Sequence, residues 1–140
     1  MYLFLNNLSE GQIFLALFNQ KGIKDKIIVH SSSRRANLLI WLNKLLTHNR
    51  CSLEKIKGLV VVNGPGLFSA IRTALAIINT LADGLKIPAV GVSLASGQSN
   101  EELIELGQKK LMSQPKNKRI VLPFYGAKPN ISRPKNRNLI

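Results

Sequence analysis

The stretch Leu59-Val60-Val61-Val62-Asn63-Gly64-Pro65-Gly66-Leu67-Phe68-Ser69-Ala70-Ile71-Arg72 changes character twice. Leu59 to Val62 is an unbroken apolar run rich in β-branched residues, the pattern of a strand covered on both faces. Asn63-Gly64-Pro65-Gly66 then punctuates the backbone, because glycine adopts turns that other residues resist. After it, Phe68, Ile71, Leu75 and Ile78 recur at helical spacing. The unit is a buried strand, a tight glycine loop and an amphipathic helix. A strand feeding a helix in this way points to an α/β fold.

Upstream, Tyr2–Leu5, Ile13–Phe18 and Lys26–His30 are predicted strands, separated by turn residues at Asn6-Asn7, Ser9-Glu10-Gly11 and Asn19-Gln20-Lys21-Gly22. Their short links predict a three-strand antiparallel meander. Ser31-Ser32-Ser33 offer capping hydroxyls for a helix over Arg34–His48. Ser52 is placed to cap a short turn before the organising strand. Downstream, the second helix spans Phe68–Gly84, with Gly84 as its left-handed cap. Ile87–Val92 is a fifth strand, and a third helix opens at Ser99-Asn100-Glu101-Glu102, with acids in its first turn and Lys109-Lys110 in its last. Ile120–Leu122 has the pattern of a further short strand. The predicted architecture is a mixed five-stranded sheet, the meander plus two parallel strands, with helices on its faces. Residues 1–113 form one lobe. Residues 114–140 form a basic, proline-containing tail that packs on it or extends from it.

The first two helices are unusually apolar. Leu38 to Leu42 cover most of one turn, and the second helix carries Ala70, Ile71, Ala74, Leu75, Ala76, Ile77 and Ile78. Such helices bury more than one side. Either the rest of the chain covers them, or they dock a protein partner through Leu38, Trp41, Leu42, Leu45, Ile71, Ala74, Leu75 and Ile78. Trp41 is the natural anchor of such a surface.

Composition narrows the functions. The chain has 140 residues, 45% hydrophobic and 19% charged, which suits one folded domain. No apolar run has the length of a membrane span, and the N-terminal stretch lacks the basic start of a signal peptide, so a cytoplasmic protein without membrane partners is expected. Cys51 is the only cysteine, which excludes an intrachain disulfide and a thiolate zinc cluster. The seven acids form no catalytic pair, and His30 and His48 share no metal-ligand spacing. No metal or cofactor is expected. The net charge of +13 is uneven: Glu105 is the last acid, and nine Lys and Arg residues follow it. Arg133, Lys135 and Arg137 in that tail are candidate nucleic-acid contacts, and a small basic RNA-binding protein acting through the tail is the alternative function.

The glycine loop leaves two readings open. Gly64, Gly66 and Ser69 are candidates for holding a phosphate at the start of the second helix. Against that, Pro65 lacks a donor, the Gly-Lys-Ser/Thr of a Walker loop is absent, and Ser69 stands where a dinucleotide fingerprint needs glycine. A purely structural turn is the other reading.

Two blocks carry a family likeness. Gly64-Pro65-Gly66-Leu67-Phe68-Ser69-Ala70-Ile71-Arg72 and Ile87-Pro88-Ala89-Val90-Gly91-Val92-Ser93-Leu94 resemble the glycine-loop and following-strand segments of the TsaB (YeaZ) family. Leu122-Pro123-Phe124-Tyr125-Gly126-Ala127-Lys128-Pro129-Asn130-Ile131 is similar to that family's closing proline-tyrosine segment. The resemblance implies an actin-like, ribonuclease-H-like lobe. It implies a non-catalytic scaffold for threonylcarbamoyladenosine modification of tRNA beside the anticodon. It also implies a TsaD-type catalytic partner, a TsaE-type ATPase that joins them, and self-pairing as a homodimer when alone, through the first two helices. This chain departs from the family at three points. Leu5-Asn6-Asn7 replaces a segment that usually carries an acid, Leu67 and Ala70 replace smaller residues beside the loop, and most of a second lobe is missing. The expectation is a short, one-lobe form.

Overall fold

The computed structural model describes residues 1–8, 11–30, 37–94, 98–115, 117 and 119–125. Strands β1 (Tyr2–Asn6), β2 (Gln12–Asn19) and β3 (Gly22–His30) form the meander, with β1–β2 and β2–β3 antiparallel. Helix α1 (Leu38–His48) and a 3-10 turn at Leu53–Lys55 lead to β4 (Gly58–Gly64). Helix α2 (Phe68–Leu85), β5 (Ala89–Ser93) and α3 (Asn100–Ser113) follow. The sheet order is β3-β2-β1-β4-β5, and β1, β4 and β5 run parallel. This is the mixed five-stranded α/β sheet that the sequence predicts.

Side-chain alternation sorts the core into two layers. Leu3, Leu5, Leu15, Leu17, Leu59 and Val61 point to the face covered by α1 and α2. Phe4, Phe14, Ala16, Phe18, Val60, Val62, Val90 and Val92 point to the other face, where α3 adds Leu103 and Ile104. Helix α1 lies over β2 and β3, α2 over β4 and β5, and α3 over β4 and β5 from the opposite side. Two helices thus serve an aliphatic face. One helix and a set of aromatic rings serve the other: Tyr2 stacks on Phe18 at 5.5 Å, and Phe4 meets Phe14 edge-on at 5.9 Å.

Several local expectations are revised. The described N-cap of α1 is Asn37, whose side chain accepts from Leu39 N–H at 2.9 Å; Ser31-Ser32-Ser33 lie outside the described residues. Ser52 precedes the 3-10 turn but makes no side-chain cap bond. Helix α2 runs past Gly84, and Lys86 takes the left-handed cap with φ 58°, its N–H bonded to Ala82 O. Residues 120–122 form no strand, because their backbone groups bond to asparagine side chains instead of to a neighbouring strand. The capping of α3 follows expectation and is reciprocal: Ser99 Oγ accepts from Glu102 N–H, and Glu102 Oε1 accepts from Ser99 N–H.

Gly107 marks the closest approach of α3. A Cβ there would run into the Cγ atoms of Val60 on β4. Gly107→Ala is expected to lower stability by about 1–3 kcal/mol through overpacking, despite alanine's better helix propensity, as measured by urea unfolding.

Asp25 ties the edge strand to α1. Asn49 Nδ2 donates to Asp25 Oδ2 at 2.8 Å, and Lys26 N–H donates to Asp25 Oδ1 at 2.8 Å. The Asn49 bond, helped by the Lys26 amide and the nearby His48 and Lys24 charges, holds this carboxyl below its usual value; partial burial opposes them. A lowered carboxylate pKa stabilises the fold above the unfolded value, and that contribution fades as pH falls through the folded one. Asp25→Asn is therefore expected to cost stability at pH 6 and almost none near pH 2, read from unfolding midpoints across that range.

Candidate functional site

The carboxyl ends of β1, β4 and β5 meet at one edge of the sheet, the usual place for a ligand in an open α/β sheet. The glycine loop lies there. Register slips between Val62 and Gly64 as β4 leaves β5, and Leu94 N–H donates to Gly64 O at 2.7 Å. Gly64 has φ 138°, a conformation that a side chain resists, and the Gly64-Pro65 peptide is cis.

The space beside this glycine is filled from within. A Cβ on Gly64 would strike the carbonyl oxygen of Phe124, and one on Gly66 would touch the Leu8 side chain at 3.3 Å. Ser69 is exposed on the first turn of α2, and Leu67 at the N-cap supplies no side-chain acceptor. The chain's own C-terminal segment packs against Gly64, while Pro65, Gly66, Leu67 and Ser69 stay exposed.

That segment is a strap held by two asparagines. Asn79 on α2 pairs with both backbone groups of Val121: Nδ2 donates to Val121 O at 3.1 Å, and Val121 N–H donates to Oδ1 at 2.8 Å. Asn63 Nδ2 donates to Leu122 O at 2.8 Å, and Phe124 N–H donates to Asn63 O at 2.9 Å. Val121 is buried and joins the core on the α1/α2 face. Sequence reasoning missed both asparagines. Their signal was an amide at a core-facing spacing, since Asn79 follows Leu75 and Ile78, and an amide there needs a partner.

On β1, Asn6 is 1% exposed, donates from Nδ2 to Asn100 Oδ1 at 2.8 Å, and accepts at Oδ1 from Leu8 N–H at 2.9 Å. Asn7 Nδ2 donates to Ala70 O at 3.2 Å, which joins β1 to the start of α2. These amides knit the sheet edge together and bring no acid to it. Among the described residues, no group of three His, Cys, Asp or Glu is placed to hold a metal ion, and no helix is long and apolar enough to cross a membrane.

The predicted docking residues need correction. Leu38, Leu42, Leu45, Ile71, Ala74, Leu75 and Ile78 all face the sheet, none more than 7% exposed. A sheet-facing stripe and an outward-facing one are equally apolar here, so spacing alone could not separate them. Trp41 is half-buried, with Lys44 Nζ 4.5 Å above its ring. The apolar residues that α1 turns outward are Leu39 and Ile40, 54% and 52% exposed; α2 turns out Thr73, Ala76 and Thr80. The strap seals one flank of α2 and leaves this outer surface bare. Arg133, Lys135 and Arg137 lie outside the described residues.

The structure thus defines a class: a single α/β lobe with a strapped glycine loop. A family model described as TsaD, tRNA N6-adenosine threonylcarbamoyltransferase, matches residues 21–118. The chain is 37% identical over 59 residues to the tRNA threonylcarbamoyladenosine biosynthesis protein TsaB of Buchnera aphidicola subsp. Baizongia pistaciae (strain Bp), a match covering 42% of this chain and 26% of that protein. Among solved structures, YeaZ from Pseudomonas aeruginosa aligns with TM-score 0.58 and 23% identity over 66% of this chain and 43% of the other. A second structure, of an uncharacterized protein from Pseudomonas aeruginosa with similarity to peptidase YeaZ, aligns with TM-score 0.57 and 23% identity over 66% of this chain and 44% of its own. The chain belongs to this family, the TsaB/YeaZ and TsaD proteins, and spans about a quarter to under half of the relatives' length.

If the asparagine clamp holds the strap, Asn79→Ala leaves two backbone groups of Val121 without their partner. The expected cost is about 1–3 kcal/mol. Amide hydrogen exchange is expected to accelerate at Val121 and Phe124 while β1 and β2 stay protected.

Proposed function

We propose that this chain is a non-catalytic scaffold subunit in the threonylcarbamoyladenosine modification of tRNA, and that it supports a TsaD-type catalytic subunit in the cytoplasm. One observation carries the scaffold reading: the Phe124 carbonyl of the chain's own strap packs against Gly64 at the glycine loop. Asn6, buried and bonded to Asn100, supports it, because it is an amide where the family resemblance leads to the expectation of an acid. Family membership supplies the pathway.

The partner is proposed to dock on the outer surface of α1 and α2, through Leu39, Ile40, Trp41, Thr73 and Ala76. Both helices cover the same face of the sheet, and their exposed residues include the apolar or small Leu39, Ile40, Thr73 and Ala76, beside polar ones such as Asn43 and Lys44. The same surface serves self-pairing when the chain is alone. A TsaE-type ATPase joins the assembled pair, and tRNA reaches the chain through the complex.

The test is co-expression and co-purification with a TsaD-type subunit. Ala76→Arg and Ile40→Asp are exposed changes expected to leave the melting temperature within a few degrees. Each is expected to weaken capture at least tenfold, about 1.4 kcal/mol. By contrast, Ala74→Arg would drive a charge into the core and unfold the lobe. Undiminished capture by both folded surface variants would overturn this interface.

A further inference from the structure

Phe68 and Tyr125 form an aromatic pair on the surface beside the glycine loop. Their ring centroids are 6.0 Å apart with planes inclined at 30°, and the two residues are 57% and 50% exposed. The Arg72 guanidinium lies 5.3 Å from the Phe68 centroid. Leu67 and Phe124, 76% and 41% exposed, extend the patch on either side. Neither ring is needed to fill the core. The strap's backbone is anchored by Asn63 and Asn79, so Tyr125 is delivered to Phe68 without being part of the anchor. Three adjoining planar groups, all in contact with water, are thereby held on a rigid helix start and a clamped segment.

We propose that this patch is a stacking platform for an unpaired base of single-stranded RNA. Flat π faces stack bases of any identity, and a guanidinium beside them adds a further stacking plane and a charge toward the phosphate chain. The overall charge of +13 complements such a polyanion, and the exposed ring and guanidinium planes fit its bases. The choice of RNA over DNA rests on the proposed function above; the stacking geometry does not. The basic residues Arg133, Lys135 and Arg137 add charge to the chain but no ring.

The experiment is fluorescence anisotropy of fluorescein-labelled decauridine with the full chain, at several salt concentrations, with the DNA decamer as control. Phe68→Ala and Tyr125→Ala are each expected to weaken RNA binding roughly five- to hundredfold. The slope of affinity against salt should stay unchanged, because no phosphate contact is removed. Phe68→Trp should keep wild-type affinity, since a larger ring preserves stacking. Circular dichroism and melting of both alanine variants should match wild type. Equal affinity for the DNA decamer would leave the platform standing and remove the preference for RNA. Wild-type RNA affinity in both folded alanine variants, or no binding by the wild-type chain at low salt, overturns the proposal. So does a loss confined to TsaD-type capture, which would assign the patch to a protein. Failure of the co-purification test with intact RNA binding would sink the scaffold interface alone.

Discussion

Strand β4 leaves no face to water. Leu59, Val60, Val61 and Val62 are each 0% exposed, so both sides of the strand must be roofed. That requirement sets the rest of the lobe. Helix α2 covers one side and α3 the other, and β1 and β5 flank it in parallel. The tightness of the roof is felt at Gly107, where α3 rests directly on Val60. Burying four aliphatic side chains contributes on the order of 1.5–3 kcal/mol each relative to exposure.

The same strand delivers the functional edge. Its regular pairing breaks at Asn63 and Gly64, and the break frees a backbone carbonyl and an amide side chain to receive the strap. A carbonyl from residue 124 packs against Gly64, and Asn6 and Asn100 join β1 to the start of α3. The strap held against Gly64 and the bare outer side of α1 and α2 together favour a subunit that works by contact. That is the physical content of the proposed scaffold role.

The strands were legible because their alternation and β-branched runs are local signals. The meander, the organising strand and the helix spacings all follow from residues near in sequence. Helix ends were less legible: Lys86 takes the left-handed position that Gly84 was expected to hold, and α2 runs on to Leu85. The inward and outward sides of α1 were not legible at all. Leu38 and Leu39 are chemically alike, and only the sheet decides that the first is 5% and the second 54% exposed. The strap was invisible for a different reason. Its partners, Asn79 and Val121, are 42 positions apart, and their pairing has no periodicity. Of the glycine loop, the sequence reading had the turn but not what closes it.

The sheet ends in two strands, β3 and β5, and each rim carries lysine. On β3, Lys24 and Lys26 stand exposed at alternate positions. At β5, Lys110 reaches across from α3 and donates to Gly91 O at 2.6 Å, occupying an acceptor on that strand. An incoming extended segment would have to strip water from ammonium groups before it could hydrogen-bond to either rim. Both rims of the sheet are therefore poor templates for a further strand.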